Sequence, residues 1–274
     1  MKTKLGFIPA FILSTVVWAL LPASAGAQVA VDSVTASPTL NEYTAATATS
    51  GSWSHTVSGS NTYLLVGLAS WNGDVSPADP FTNITLAYNG VAMTFLGDSF
   101  NGDSVALWGL ANPTSGTHNV TWNNSGAALE ELGGGSISFT GVGSVGSYVP
   151  QNVFGGGSNG NPGNNFNLTL GAGDMGVDIL YANNAHTQSA GQTTQLDNLF
   201  ITPGPTWGDN AWAAMSTNNN GGVAGTVTFG WTDGDGHGGI ALVAAVPEPS
   251  SLALFGLGTL SLLALRRVAR NFKG

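Results

Sequence analysis

Period-two alternation, interrupted every few residues by turn chemistry, constrains this chain more than any other feature. His118, Val120 and Trp122 share one parity, while Thr117, Asn119, Thr121 and Asn123 share the other. Phe166, Leu168 and Leu170 oppose Asn165, Asn167 and Thr169; Val227, Phe229 and Trp231 oppose Thr226, Thr228 and Gly230. A strand of this kind buries one face and wets the other. Three runs are apolar on both parities: Tyr63 to Ala69, Val105 to Leu110 and Ile240 to Ala245. These are predicted to be central strands covered on both sides. Asn89-Gly90 supplies the positive φ values of a type I′ turn, so Ile84 to Tyr88 is predicted to pair with Val91 to Leu96.

A first strand is expected at Val29 to Val34, then a Thr/Ala/Ser-rich link from Thr44 to Ser52, and a Gly/Asn loop from Gln151 to Asn165. About a dozen strands follow from the remaining runs, enough for an all-β fold: a two-sheet antiparallel β-sandwich, jelly-roll-like. Helix is expected only at the two ends. The stretch after Gln151 offers too few large residues for a core of its own, so residues 28–245 are read as one β-sandwich domain.

Charge narrows the partners of that domain. The 274 residues include 15 Asp+Glu and 6 Lys+Arg, for a net charge of −9, and every basic residue lies near an end. Lys2 and Lys4 stand at the start, and Arg266, Arg267, Arg270 and Lys273 at the finish; between Gln28 and Ala245 there are 14 carboxylates and no Lys or Arg. Such a domain cannot neutralise phosphates, which excludes nucleic acid and anionic lipid headgroups as partners through a basic patch. There is no Cys, hence no disulfide and no thiolate metal site.

Residues 1–27 read as a signal peptide: a basic n-region at Lys2 and Lys4, an apolar h-region from Phe7 to Leu21, and small residues around Ala23 to Ala27 for cleavage. Residues 246–274 are also tripartite. Pro247-Glu248-Pro249 forms an extended segment, because Pro fixes its own φ and biases its predecessor away from helix. Ser251 to Leu265 follows as an apolar run of 15 residues, then Arg266 and Arg267. As a single transmembrane helix the run covers about 22 Å, so it needs flanking residues or snorkelling arginines to span ~30 Å of hydrocarbon. The arginines place the tail in the cytoplasm.

This ending resembles the PEP-CTERM sorting signal of exported proteins, with Pro247, Glu248 and Pro249 as its signature and Arg266, Arg267 and Arg270 as its basic cluster. The resemblance implies recognition by an exosortase-type membrane transpeptidase, and release or attachment at the cell surface. It also implies a Gram-negative bacterium that makes exopolysaccharide. The resemblance covers the sorting route and not the chemistry of the central domain.

Candidate sites in that domain are few. Asp233 and Asp235, spaced by Gly between the strands ending at Trp231 and starting at Ile240, resemble the opening of a calcium loop. Position 12 of such a loop is Ala244, so an EF-hand is excluded. Asp74 and Asp79 form a second acidic loop. Trp207, Asp209 and Trp212 combine aromatic faces with a polar group, the chemistry that binds a neutral carbohydrate. Most tryptophans fall on apolar parity, and packing is their expected role.

Enzyme signatures are poor. Glu130 and Glu131 are adjacent and point to opposite faces of a strand, unlike the opposed pair a glycosidase needs. Gly156 to Gly160 matches G-x-S-x-G without the strand and helix that the motif requires. His55, His118, His186 and His237 lack zinc-ligand spacing; His55 and His118 share parity with apolar neighbours and are expected to be hydrogen-bonded inward. The expectation is therefore an exported, non-catalytic surface or extracellular-matrix protein associated with exopolysaccharide or biofilm, with no required cofactor. A calcium-dependent carbohydrate-binding module is the alternative. A secreted polysaccharide hydrolase ranks last.

Overall fold

A computed structural model describes residues 27–40, 48–71, 81–101, 103–126, 129, 131–151, 165–183, 185–201, 210–232 and 236–245. The predicted signal peptide and the C-terminal sorting segment lie outside them. So do residues 152–164 of the predicted Gly/Asn loop, and Asp74, Asp79 and Glu130. Among the described residues no helix is long and apolar enough to cross a membrane.

The strands run in chain order as β1 (Ala30–Ala36), β2 (Ser50–Val57), β3 (Tyr63–Trp71), β4 (Ile84–Tyr88), β5 (Val91–Ala92) and β6 (Thr94–Asn101). They continue as β7 (Asp103–Ala111), β8 (Gly116–Asn124), β9 (Gly133–Thr140), β10 (Val142–Val145), β11 (Val149–Gln151) and β12 (Phe166–Leu170). The last are β13 (Met175–Ala182), β14 (Thr193–Ile201), β15 (Ala211–Asn218), β16 (Gly225–Phe229) and β17 (Gly236–Ala244). A single 3₁₀ turn, Asn220–Gly222, is the only helical element among the described residues. The all-β antiparallel expectation holds.

The number of layers differs from the two that the alternation predicted. A first inner sheet orders β1-β9-β3-β7-β6, and a second inner sheet orders β10-β17-β13-β15-β14, with β11 also on β17. A front sheet orders β2-β8-β4-β5, and a back sheet pairs β12 with β16. The sheets face one another over apolar cores as in a sandwich, but each inner sheet is covered twice. Leu65, Val105, Leu107, Ile137 and Phe139 of the first inner sheet meet Val177, Ile179, Met215, Ile240 and Leu242 of the second. On the opposite face Leu64, Val66, Leu68 and Trp108 meet Trp53, Leu86, Tyr88, Val120 and Trp122 of the front sheet. Phe166, Leu168, Val227 and Phe229 of the back sheet pack toward Ala241 of β17.

This stacking explains the doubly apolar runs. β3 and β7 sit inside the first inner sheet and β17 inside the second, each with a core on both faces. Glycine lets the back sheet close on its floor. A Cβ added at Gly176 would lie 2.6 Å from Phe229 Cε2, and one at Gly239 2.6 Å from Phe166 Cζ. The rings of Phe166 and Phe229 stack at 5.4 Å over that bare backbone.

Two local expectations need correction. The Asn89-Gly90 turn forms with φ of 48° and 77°, but the hairpin stops at Val91–Ala92, and the other edge of β4 pairs with β8. From Thr94 the chain crosses to the first inner sheet as β6, because Phe95 packs edge-on against the Trp108 ring of β7. The predicted link through Ser52 is partly strand: Ser50 already opens β2, with Trp53 and Val57 turned inward. The predicted first strand appears slightly later, at Ala30–Ala36.

Candidate functional site

The outward face of the second inner sheet carries the densest polar chemistry among the described residues. β13 is buried along all eight residues, and its only ionisable groups are Asp178 and Tyr181. Alternation puts Val177 and Ile179 in the core between the inner sheets, so Asp178 points the other way, with Gly176 and Leu180. Register then fixes its neighbours. Asp178 lies opposite Ser216 of β15 and Gly239 of β17, while Leu180 lies opposite His237.

The Asp178 carboxylate is fully buried and is met by five donors. Oδ1 accepts the Ser216 backbone N–H at 2.7 Å and its hydroxyl at 2.6 Å. Oδ2 accepts Trp231 Nε1–H at 2.7 Å and Gln192 Nε2–H at 3.3 Å, and lies 2.8 Å from His237 Nε2. Gln192 also donates to Ser216 Oγ and accepts the Gly230 N–H. With no Lys or Arg between residues 28 and 245, a buried carboxylate here can be satisfied only by neutral donors and imidazole.

This cluster contains Ser, Asp and His, but in the wrong order for a nucleophilic relay. A triad needs the imidazole between hydroxyl and carboxylate. Here Asp178 stands between Ser216 and His237, and all three are fully buried. The network ties β13, β15 and β17 to Gln192 and Trp231 at the two turns beside them. Beyond it, His186 meets the rings of Trp231 and Trp212 edge-on at 5.2 and 5.7 Å, and its Nε2 lies 3.4 Å from Asp197 Oδ1.

Of the predicted carbohydrate residues, Trp212 is half-buried in this rim, packed against His186. Trp207 and Asp209 lie outside the described residues, as do the calcium candidates Asp233 and Asp235. The described strand ends next in the chain to these candidates share one end of the sheet: Trp212 pairs with Ala182, and Gly236 with Tyr181. Among the described residues no three His, Cys, Asp or Glu side chains gather to hold a metal ion. Sequence patterning does not single out Asp178, Ser216 or Gln192, and it brings in His237 only through zinc-ligand spacing. A signal was present: one carboxylate inside an otherwise apolar octet.

A second polar seam lies between the front and first inner sheets. His55 is buried, with Nδ1 2.9 Å from Ser136 Oγ and 3.0 Å from Thr35 Oγ1. Ser136 Oγ also accepts Trp53 Nε1–H at 2.9 Å and lies 3.5 Å from the Thr35 carbonyl. Nε2 has no partner. Burial pushes the His55 pKa down to about 4, against the opposing pull of Asp32. Burial alone would raise Asp32, but hydrogen bonds from Ser58 and Ser138 outweigh it and hold the carboxyl below its ordinary value. His118, expected inward, is half-buried with Nε2 3.1 Å from the Ser115 carbonyl.

The all-β domain, with no Lys or Arg, is followed at once by Pro247-Glu248-Pro249, an apolar run and arginines, the layout of a C-terminal sorting signal. Residues 245–268 match the PEP-CTERM protein-sorting motif. That motif marks the chain for handling by an exosortase and for export to the cell envelope or surface. No curated protein and no solved structure is matched by the chain.

Proposed function

We propose that the protein is a non-catalytic component of the cell surface or extracellular matrix, sorted through its PEP-CTERM signal and associated there with exopolysaccharide. The sorting motif at residues 245–268 carries this reading. The build of the domain supports it: its densest polar cluster, around Asp178, is spent on holding strands and turns together. The test is removal of residues 246–274 followed by fractionation of the producing cells. The intact chain is expected at the envelope or surface, and the truncated chain elsewhere. An unchanged location overturns the sorting half of the proposal.

A calcium-dependent carbohydrate-binding module is the second reading. It is favoured by the described residues next to the candidates Trp207, Asp209, Asp233 and Asp235: Trp212 of β15 and Gly236 of β17 lie at the same end of the second inner sheet. Glycan-array binding that appears with calcium and vanishes on chelation is its expected result; silence in both conditions removes it.

A further inference from the structure

The charges of this domain are distributed against the usual pattern. Ordinary surfaces carry roughly 25–35% charged residues. Here none of the 14 domain carboxylates falls on β2, β4, β5 or β8, the strands of the front sheet. The outward parity of that sheet is instead a lattice of hydroxyls and amides. Ser52, Ser54 and Thr56 of β2 lie opposite Thr121, Asn119 and Thr117 of β8. Five of the six are exposed, and Thr121 is half-buried. Ser54 Oγ–H donates to Asn119 Oδ1 at 3.1 Å, and the Thr56 and Thr117 hydroxyls meet at 2.7 Å. At one end the face deepens into an open groove of about 420 Å³ beside Asn89, Gly90 and His118.

We propose that the outer face of the front sheet is a docking surface for a neutral, hydroxyl-rich polysaccharide. The proposal deepens the matrix reading above and rests on it. Each hydroxyl and amide on the face both donates and accepts, matching the dual character of sugar hydroxyls. A protein partner finds little apolar area to bury here: outward Ala87 of β4 and Ala92 of β5 are small, and exposed Val91 stands on the edge strand. An anionic polymer meets no cation and is repelled by the acidic domain as a whole. Strands spaced ~4.8 Å apart, with like-facing residues ~6.7 Å apart along each, repeat the same contact in two directions. Many weak contacts along one polymer chain then add through multivalency. The Trp53, Tyr88 and Trp122 core beneath keeps the lattice rigid.

The experiment is native affinity electrophoresis of the full exported chain through gels containing hydroxyethyl cellulose, dextran or galactomannan, with alginate as the acidic control. Retardation is expected from at least one neutral polymer and none from alginate. Ser54→Asp with Asn119→Asp is expected to weaken that retardation at least tenfold. Asn167→Asp with Thr226→Asp on the back sheet should leave it unchanged. Should the front pair of aspartates perturb folding by near-ultraviolet circular dichroism, Ser54→Ala with Asn119→Ala takes its place, with a severalfold loss expected. The proposal is overturned by three results: no retardation by any neutral polymer, equal retardation of the front-sheet variant, or equal loss from the back-sheet variant. These outcomes are independent of the truncation experiment, so sorting can stand while the docking surface fails.

Discussion

Lowering the pH is expected to loosen the seam between the front and first inner sheets through His55. In the folded chain its pKa is about 4, against 6.5 when solvated. The unfolded chain therefore binds the extra proton first, and stability must fall as pH falls from about 6.5 to 4. At about 1.36 kcal/mol for each pKa unit, the loss from His55 alone is about 2 kcal/mol at pH 5 and about 3 kcal/mol at pH 4. Below pH 4 the His55 contribution is exhausted, and Asp32, held below its ordinary value by Ser58 and Ser138, takes over the acid loss. The assay is urea denaturation at pH 7, 6, 5 and 4, followed by tryptophan fluorescence, with His55→Asn as the companion. The Asn amide can reach Ser136 and Thr35 as Nδ1 does, yet it does not titrate. The variant is expected to be weaker at pH 7 by about 1–2 kcal/mol from lost packing, and its pH 7 to 5 slope should be shallower by about 2 kcal/mol. Equal slopes in the two proteins would refute the assignment of this acid loss to His55.

Replacing Asp178 by Ala strands the Trp231, His237, Gln192 and Ser216 donors in a buried site, and should cost on the order of 3–5 kcal/mol in urea denaturation. A loss under 1 kcal/mol would show that the five contacts are not formed together. Trypsin, which cuts after Lys and Arg, should leave residues 28–245 as one uncut fragment even in urea, since that stretch contains neither residue. Intact-mass measurement reads the outcome directly, and any cut within the domain contradicts it.

Parity made most strand faces legible from the sequence, because alternation is a local property of the backbone. Trp53, Trp122, Phe166 and Phe229 are buried on the side their neighbours announce. The count of layers was not legible. A doubly apolar run such as Tyr63 to Ala69 says that both faces are covered and leaves open by what, since sheet partners are set by contacts distant in the chain. The closest packing is also carried by residues that are nearly invisible to hydrophobic patterning. Gly176 and Gly239 contribute to the back interface by having no side chain under Phe229 and Phe166. The Asp178 cluster was hidden for a related reason: Ser216, Gln192 and His237 are 14 to 59 positions away along the chain and converge only through register.

The missing basic residues connect these observations. Without Lys or Arg, a carboxylate drawn inside needs N–H and O–H donors, and the fold supplies them in sets at three aspartates. Asp174 takes the backbone N–H groups of Gly171 and Ala244, Asp32 takes Ser58 and Ser138, and Asp178 takes five donors. These carboxylates lie on or beside the inner sheets, where they fasten turns and strands. The outer sheets, with no carboxylate at all, are wetted by Ser, Thr and Asn. At these three positions charge acts as internal fastening, and the front and back sheets are left without charge. A domain built that way meets its surroundings through hydroxyl and amide hydrogen bonds, which salt screens far less than ion pairs. Binding to a neutral polymer should accordingly hold nearly constant between low and high salt, and a steep salt dependence would place the contact on the acidic loops instead.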